Sequence, residues 1–308
     1  MPPLLAVVGP TASGKSALAM QLARRFPVEI LVADARQVYR GMNIGTAKPT
    51  TADRASVPHH LLDLVDPDQA FTAADWTAAA RALIPEIRAR GHLPLVVGGN
   101  GLYLRGLLDG YDYAADPPSP AVRARFEALL AADGLGALVE RLADLDPEAA
   151  ARIDRHNPRR VVRALERAEA RGDRPRAVQP SSGPYPSRLA LIAISRSRSA
   201  LYRRIDQRAA ELFRNGLLDE VRALLAAGFA PELRALGGHG YAEAVAVLRG
   251  DWTLEQAVEV TARRTRQYAK RQLTWLRHEP RITWLEPGPD AGDALFERAS
   301  SVIGAVLA

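Results

Sequence analysis

An α/β fold is predicted for this 308-residue chain: a parallel sheet flanked by helices, with an all-helical insertion domain. Three observations predict it. Short apolar runs alternate with helical stretches through the first third of the chain and again near its end. The earliest run, Leu4 to Val8, passes directly into a glycine-rich loop and then a helix. From about Tyr113 to Pro186 no convincing strand occurs, and prolines punctuate a series of helices. Alternation implies parallel neighbours, because a parallel pair needs a crossover connection that a helix supplies.

The elements follow in order. Leu4 to Val8 is a short buried-type strand, and helical spacing covers Ala17 to Arg25. Val28 to Ala33 is a second strand that delivers Asp34 at its carboxyl end. Thr72 is a capping side chain for a helix over Ala73 to Arg90. Leu93 to Val97 is a third strand, closed by Gly98-Gly99-Asn100-Gly101 and followed by a helical stretch, Leu102 to Leu108. In the insertion, Ser119-Pro120 starts a helix running to Asp133, Asp146-Pro147 starts another, and Asn157-Pro158 starts a third that ends near Gly172. Each pairs a capping side chain with proline at the first helical position, where the missing N–H costs nothing. A stretch containing Pro175, Pro180, Pro184 and Pro186 then leads to a strand over Arg188 to Ile194. Helices over Ser199 to Asn215, Leu217 to Ala227 and Leu254 to Arg277, a strand over Arg281 to Leu285 and a terminal helix complete the chain. The expected organisation is a core from residues 1–113 and 187–308 around an insertion at 114–186.

Composition narrows the function classes. There is no cysteine, which excludes disulfides and thiolate metal sites. The first apolar run is too short for a signal peptide or a membrane span, so a soluble, cytoplasmic protein with no membrane partner is expected. The formal charge is +6, which suits a polyanionic partner. The cations are 38 Arg and only three Lys, at 15, 48 and 270, a drift of the whole sequence that makes each lysine an exception. Arg160, Arg163 and Arg167 share one helix face. Arg263, Arg266, Lys270 and Arg277 form a stripe on the long later helix, with Arg264 and Arg271 in a second. Such faces serve either water or an anion, and both readings stand at this point.

Gly9-Pro10-Thr11-Ala12-Ser13-Gly14-Lys15-Ser16 matches the phosphate-binding pattern G-x-x-x-x-G-K-[ST], in the strand–loop–helix context that pattern requires. The predicted core is therefore a P-loop NTPase-like sheet, the fold of ATP- and nucleotide-binding proteins. Backbone N–H groups at a helix N-terminus face the anion, Lys15 adds a point charge, and the Ser16 hydroxyl is placed to ligate Mg²⁺. NTP hydrolases normally carry a metal-holding acid at the end of a later strand, yet Leu93 to Val97 ends in glycines and Asn100. Asp34 is instead the candidate general base. A small-molecule kinase and a non-enzymatic RNA-binding protein are the rival readings.

Several segments together resemble the tRNA dimethylallyltransferase family. They are the phosphate loop, Asp34 to Pro49, Pro58 to Asp63, Val97 to Tyr103 and Arg266 to Arg277. The resemblance spans almost the whole chain. It implies transfer of a dimethylallyl group from dimethylallyl diphosphate to N6 of the adenosine 3′ of the anticodon. Under it, Gly9 to Ser16 hold the diphosphate with Mg²⁺ on Ser16, and Asp34, Asn100 and Arg266 are catalytic. The same resemblance puts Asp34, Ala35, Arg36, Gln37, Asn100, Arg123, Arg159, Arg160, Val161, Val162 and Arg163 against tRNA, with the insertion clamping the anticodon stem of a monomeric enzyme. The chain departs from the family pattern at Ala35 (usually Ser), Asn43 (usually Asp) and Asn100 (usually Thr). It also carries extra residues near Leu236 to Tyr241, and Ala242 stands where a basic residue is common.

Overall fold

The computed structural model describes residues 3–111, 119–171, 188–287 and 293–308. In chain order the elements are β1 (Leu4–Val8), α1 (Lys15–Ala23), β2 (Val28–Ala33), α2 (Thr51–Ser56), β3 (His59–His60), α3 (Ala73–Ala89), β4 (Leu93–Gly98) and α4 (Gly101–Leu108). They continue with α5 (Pro120–Leu145), α6 (Pro147–Arg152), α7 (Pro158–Arg171), β5 (Leu189–Ile194), α8 (Arg198–Arg214) and α9 (Leu217–Ala226). The last are α10 (Tyr241–Leu248), α11 (Leu254–Arg277), β6 (Ile282–Leu285) and α12 (Asp293–Leu307). The chain divides into two compact units, Met1–Asp109 with Pro184–Ala308, and Gly110–Gly183. The boundaries expected at 113/114 and 186/187, and the proline-rich stretch, lie outside the described residues. Among the described residues no helix is long and apolar enough to cross a membrane.

In the first unit six strands form one parallel sheet in the order β3-β2-β4-β1-β5-β6. Alternate residues of a strand face opposite sides, and both sides here are covered. Leu4, Ala6 and Val8 join one core with Trp76, Ile84 and Tyr103 of α3 and α4. Leu5 and Val7 join another with Leu18 and Leu22 of α1 and Ile303 of α12. That is why the strands read as unbroken apolar runs rather than alternating ones. Trp76 is fully buried, stacks on Tyr103 at 4.7 Å, and donates its indole N–H to the Val32 carbonyl at 2.9 Å, which locks α3 and α4 to the sheet. A third core gathers Val38, Met42, Leu217, Val221 and Tyr241 beside the sheet.

The second unit has its own core, built from Phe126, Leu138, Leu142, Val161, Val162 and Leu165. Its expected caps are present: Ser119, Asp146 and Asn157 accept from backbone N–H groups three residues on. The first helix ends at Asp133 as expected: Gly134 is non-helical, with φ 79° and ψ 179°, and a second helical stretch, which the sequence reading did not include, continues from it to Leu145. The short α2 and β3, and α10, are absent from the sequence-based expectation; a two-residue edge strand carries no periodicity to read.

One polar cluster lies at the amino end of the sheet. Glu29, buried in β2, accepts two hydrogen bonds from Arg90 (2.9 and 2.7 Å) and stands 2.7 Å from His92 Nδ1 and 2.6 Å from His60 Nε2. The Arg90 bonds, aided by those to the histidines, hold its carboxyl down at about 2, from an ordinary value of 4.5. A depressed carboxylate stabilises the fold above its unfolded value and loses that contribution as pH falls through the folded one. Glu29→Gln is expected to cost about 2–3 kcal/mol at pH 7. In urea titrations the difference from wild type should shrink as pH falls from about 4.5 towards 2.

Candidate active site

In an open parallel sheet ligands gather at the carboxyl ends of the strands. There β1 opens into the phosphate loop, β2 into Asp34, β4 into Gly99-Asn100 and β5 into Arg196. In the sheet β4 lies between β1 and β2, so Asn100 stands between the phosphate loop and Asp34.

Gly14 occupies the N-cap of α1 with φ 103°, a left-handed conformation suited to glycine, and no side chain caps the helix. The N–H groups of the first turn therefore have no intrahelical partner and point along the positive end of the dipole. Two arginines fix the loop from behind. Arg196 Nε donates to the Ser13 carbonyl at 2.6 Å, and Arg204 Nε from α8 donates to the Ala12 carbonyl at 2.9 Å. Because a peptide's C=O and N–H point oppositely, anchoring these carbonyls aims the next amides away from the arginines. Ala12 itself packs on Leu201, Ile205 and Ala269, which seats the loop on α8 and α11.

Lys15 Nζ lies 3.4 Å from the Pro10 carbonyl, and desolvation, then the charge of Arg208, pull its pKa down to about 8, with Asp34 opposing. Arg208, one turn beyond Arg204, makes no hydrogen bond or ion pair among the described residues. Burial lowers its pKa, while the charges of Asp34 and Glu211 raise it. Ser16 is exposed on the first turn of α1. Among the described residues no group of three acidic, histidine or cysteine side chains could hold a metal. The Ser16 hydroxyl could serve as a hard oxygen ligand to Mg²⁺, an ion that commonly takes the rest of its octahedron from phosphates and water.

Asp34 is half-buried, and its Oδ1 accepts the Arg36 N–H at 2.8 Å. Asn100 caps α4 by accepting the Leu102 N–H at 3.1 Å, leaving its NH₂ group to donate. Ala35 is exposed, but its neighbours turn inward. Arg36 donates to the Ala235 carbonyl at 2.7 Å, and Gln37 donates to the carbonyls of Thr46 and Ala47 at 3.1 and 3.3 Å. The Gln37 amide N is thus engaged within the chain, whereas Arg36 keeps donors beyond the one it gives to Ala235. Arg266 pairs with Asp206 on α8 and lies beside the ring of Tyr202, which packs against the same cluster as Ala12 of the phosphate loop. Lys270 is exposed. Lys48 is structural: it is buried between the Tyr39 carbonyl and Asp63, which Arg54 also contacts at 3.0 Å.

The 42–48 segment is organised by a carboxylate that sequence reading missed. Glu220 of α9 accepts the N–H groups of Asn43 (2.8 Å), Ile44 (2.7 Å) and Gly45 (3.2 Å), and the Tyr241 hydroxyl at 2.6 Å. In the unusual 236–241 turn, His239 packs on Tyr268; burial and then Arg36, Arg264 and Arg271 push its pKa down to about 4.

In the helical unit, Arg123 and Arg163 both pair with the buried Glu166, at 2.9 and 3.2 Å. Val161 and Val162 belong to the core, which corrects their expected place at an RNA surface: their side chains face Leu138 and Leu165, not solvent. Arg159 and Arg160 are exposed.

A phosphate loop on the central strand of a parallel sheet, followed by an uncapped helix, defines a P-loop fold built to grip a phosphorylated ligand. Residues 37–279 match the family model described as IPP transferase. The chain is 49% identical over 292 residues to the tRNA dimethylallyltransferase of Anaeromyxobacter sp. (strain Fw109-5), covering 94% of this chain and 96% of that one. It is 46% identical to the tRNA dimethylallyltransferase of Roseiflexus sp. (strain RS-1), with 98% of each chain covered. Among solved structures, the full-length tRNA isopentenylpyrophosphate transferase of Bacillus halodurans is similar with a TM-score of 0.72 and 37% identity, over 99% of this chain and 97% of that one. A eukaryotic dimethylallyltransferase acting on tRNA is similar with a TM-score of 0.75 and 25% identity, over 93% and 74%. The chain belongs to the IPP transferase family, that of the tRNA dimethylallyltransferases.

The depressed Lys15 has a measurable consequence. Its ammonium is charged below about pH 8 and lost above it in the free protein. Affinity for a diphosphate monoester is expected to fall by up to about tenfold per pH unit above that value. Lys15→Met should bind weakly and show no such limb in a calorimetric titration.

Proposed function

We propose that this chain transfers the dimethylallyl group of dimethylallyl diphosphate to N6 of the adenosine immediately 3′ of the anticodon in tRNA, releasing diphosphate. The observation that carries the reading is the phosphate loop at the carboxyl end of β1 and Asp34 at that of β2, on one edge of the sheet, with the charges of Asp34 and Arg208 both acting on Lys15. The first-turn amides of α1, with Gly9 to Ser16 wrapped around them, hold the diphosphate. Lys15 and Arg208 meet the negative charge that grows as the C–O bond breaks and its electron pair leaves with diphosphate. Ser16 would hold Mg²⁺, which when bound would further neutralise the charge of that leaving group.

On the acceptor side N6 forms the new bond to the allylic carbon, and its proton passes to Asp34. The Asn100 amide orients the adenine, which must leave its stack to reach this depth. Ala35 lines the entry, and Arg36 and Gln37 shape it through the backbone contacts they make. Arg266, held by Asp206 on α8, closes on the diphosphate from α11. Arg159 and Arg160 meet the phosphates of the anticodon stem; Arg123 and Arg163 order the helical unit through Glu166. A monomer working in the cytoplasm suffices for this chemistry.

Incubation with labelled dimethylallyl diphosphate, Mg²⁺ and unmodified tRNA tests the reading. Label is expected in the adenosine next to the anticodon, and Asp34→Ala should lower turnover by about 10²–10⁴ with tRNA affinity within twofold. No transfer by the wild type, with ADP formed from ATP and a small acceptor, would replace this reading by a kinase. Arg160→Ala is expected to weaken tRNA binding and reduce the salt slope by about one in filter binding. An unchanged slope would return Arg160 to an ordinary solvated face.

A further inference from the structure

Gln272 lies on the second-last turn of α11, and only 8% of it is exposed. Its Oε1 accepts the N–H of Thr11 at 2.9 Å, and its Nε2 donates to the carbonyl of Gly99 at 3.0 Å. Thr11 is in the phosphate loop after β1, and Gly99 directly precedes Asn100 after β4. These loops are distant in sequence but leave paired strands, since Val8 and Gly98 are register partners. A single side-chain amide therefore spans from the donor loop to the acceptor loop. The junction is tight: a Cβ on Gly99 would stand 2.4 Å from Gln272 Nε2 and 2.5 Å from the Gly9 carbonyl.

The chemistry of this contact is specific to an amide. Thr11 presents a donor and Gly99 an acceptor, so the side chain between them must offer one acceptor and one donor. A carboxylate of the same shape would set an oxygen against the Gly99 carbonyl, and a thioether would satisfy neither group. The Thr11 N–H is also committed to Gln272 and is therefore not among the loop amides left for an anion. Gln272 touches neither reacting group, so its effect passes through the loops it joins.

We propose that Gln272 is a positioning residue that holds the phosphate loop and the Asn100 loop in register, so that the diphosphate and the incoming adenine are presented at a fixed separation. The proposal rests on the reading of the function given above. Its test uses full-length Gln272→Met and Gln272→Glu, with thermal unfolding as the control for folding. Gln272→Met is expected to raise KM for dimethylallyl diphosphate about tenfold and lower kcat about tenfold, while the Kd for tRNA measured without donor stays within twofold. A purely structural role predicts instead that activity falls only with the folded fraction, with KM unchanged.

Gln272→Glu supplies a second readout, and it carries the test if Gln272→Met does not fold. Once protonated, its carboxyl again offers one donor and one acceptor. Affinity for inorganic pyrophosphate with Mg²⁺, taken as a ratio to wild type at each pH, should recover several-fold between pH 8 and pH 6. A flat ratio, or wild-type kcat and KM in the folded Met variant, overturns the proposal. The pyrophosphate measurement does not depend on prenyl transfer. Absence of transfer in the wild type would therefore count against the function while the pH ratio still judges the loop contact.

Discussion

Both faces of the sheet are covered, and that constraint decides where chemistry can occur. Parallel strands return only by crossing a face, so helices take up both surfaces and leave the strand ends as the open places. With Leu4 to Val8 buried throughout, β1 offers nothing to a ligand except the loop that follows it. The same holds for β2, β4 and β5, and their four carboxyl-end loops bring Asp34, Asn100, the phosphate loop and Arg196 to one edge. At the opposite end Glu29 with Arg90, His60 and His92 closes the sheet with partners of its own.

Arginine is abundant enough here that charge alone does not mark a functional residue. Buried carboxylates engage some of it: Glu166 takes Arg123 and Arg163, Glu243 takes Arg264, and Glu29 takes Arg90. An acid removed from water needs a partner, so each of these carboxylates ties down a cation that itself stays partly exposed. What distinguishes Arg196, Arg204 and Arg208 is their surroundings. Two hold loop carbonyls, and the third faces Lys15 with no bonded partner among the described residues.

This explains what the amino-acid sequence disclosed. Local signals were legible: the apolar strands, the phosphate loop, and the Ser119, Asp146 and Asn157 caps before proline, because each depends on neighbours within a few residues. The strand order was not, since pairing β4 between β1 and β2 is a long-range event that no period records. Arg208 was invisible among 38 arginines. Arg266 drew notice through its segment, yet Asp206, sixty residues earlier in the chain, determines where its guanidinium goes. Lys48 stood out as one of three lysines, and its rarity marks a buried ion pair rather than a ligand contact.

Glu220 gives the 43–45 turn an anion from within the same chain. Three consecutive amides converge on its carboxylate, as successive N–H groups do on bound phosphates elsewhere. The Tyr241 hydroxyl closes the remaining side. A turn without such a centre would sample many backbone conformations and settle only on meeting its substrate. Here that loss of freedom is incurred during folding, at about 1–2 kcal/mol per residue. The entropy of ordering this segment is then not charged against each encounter with a substrate, and the surface beside Asp34 has one shape before any RNA arrives.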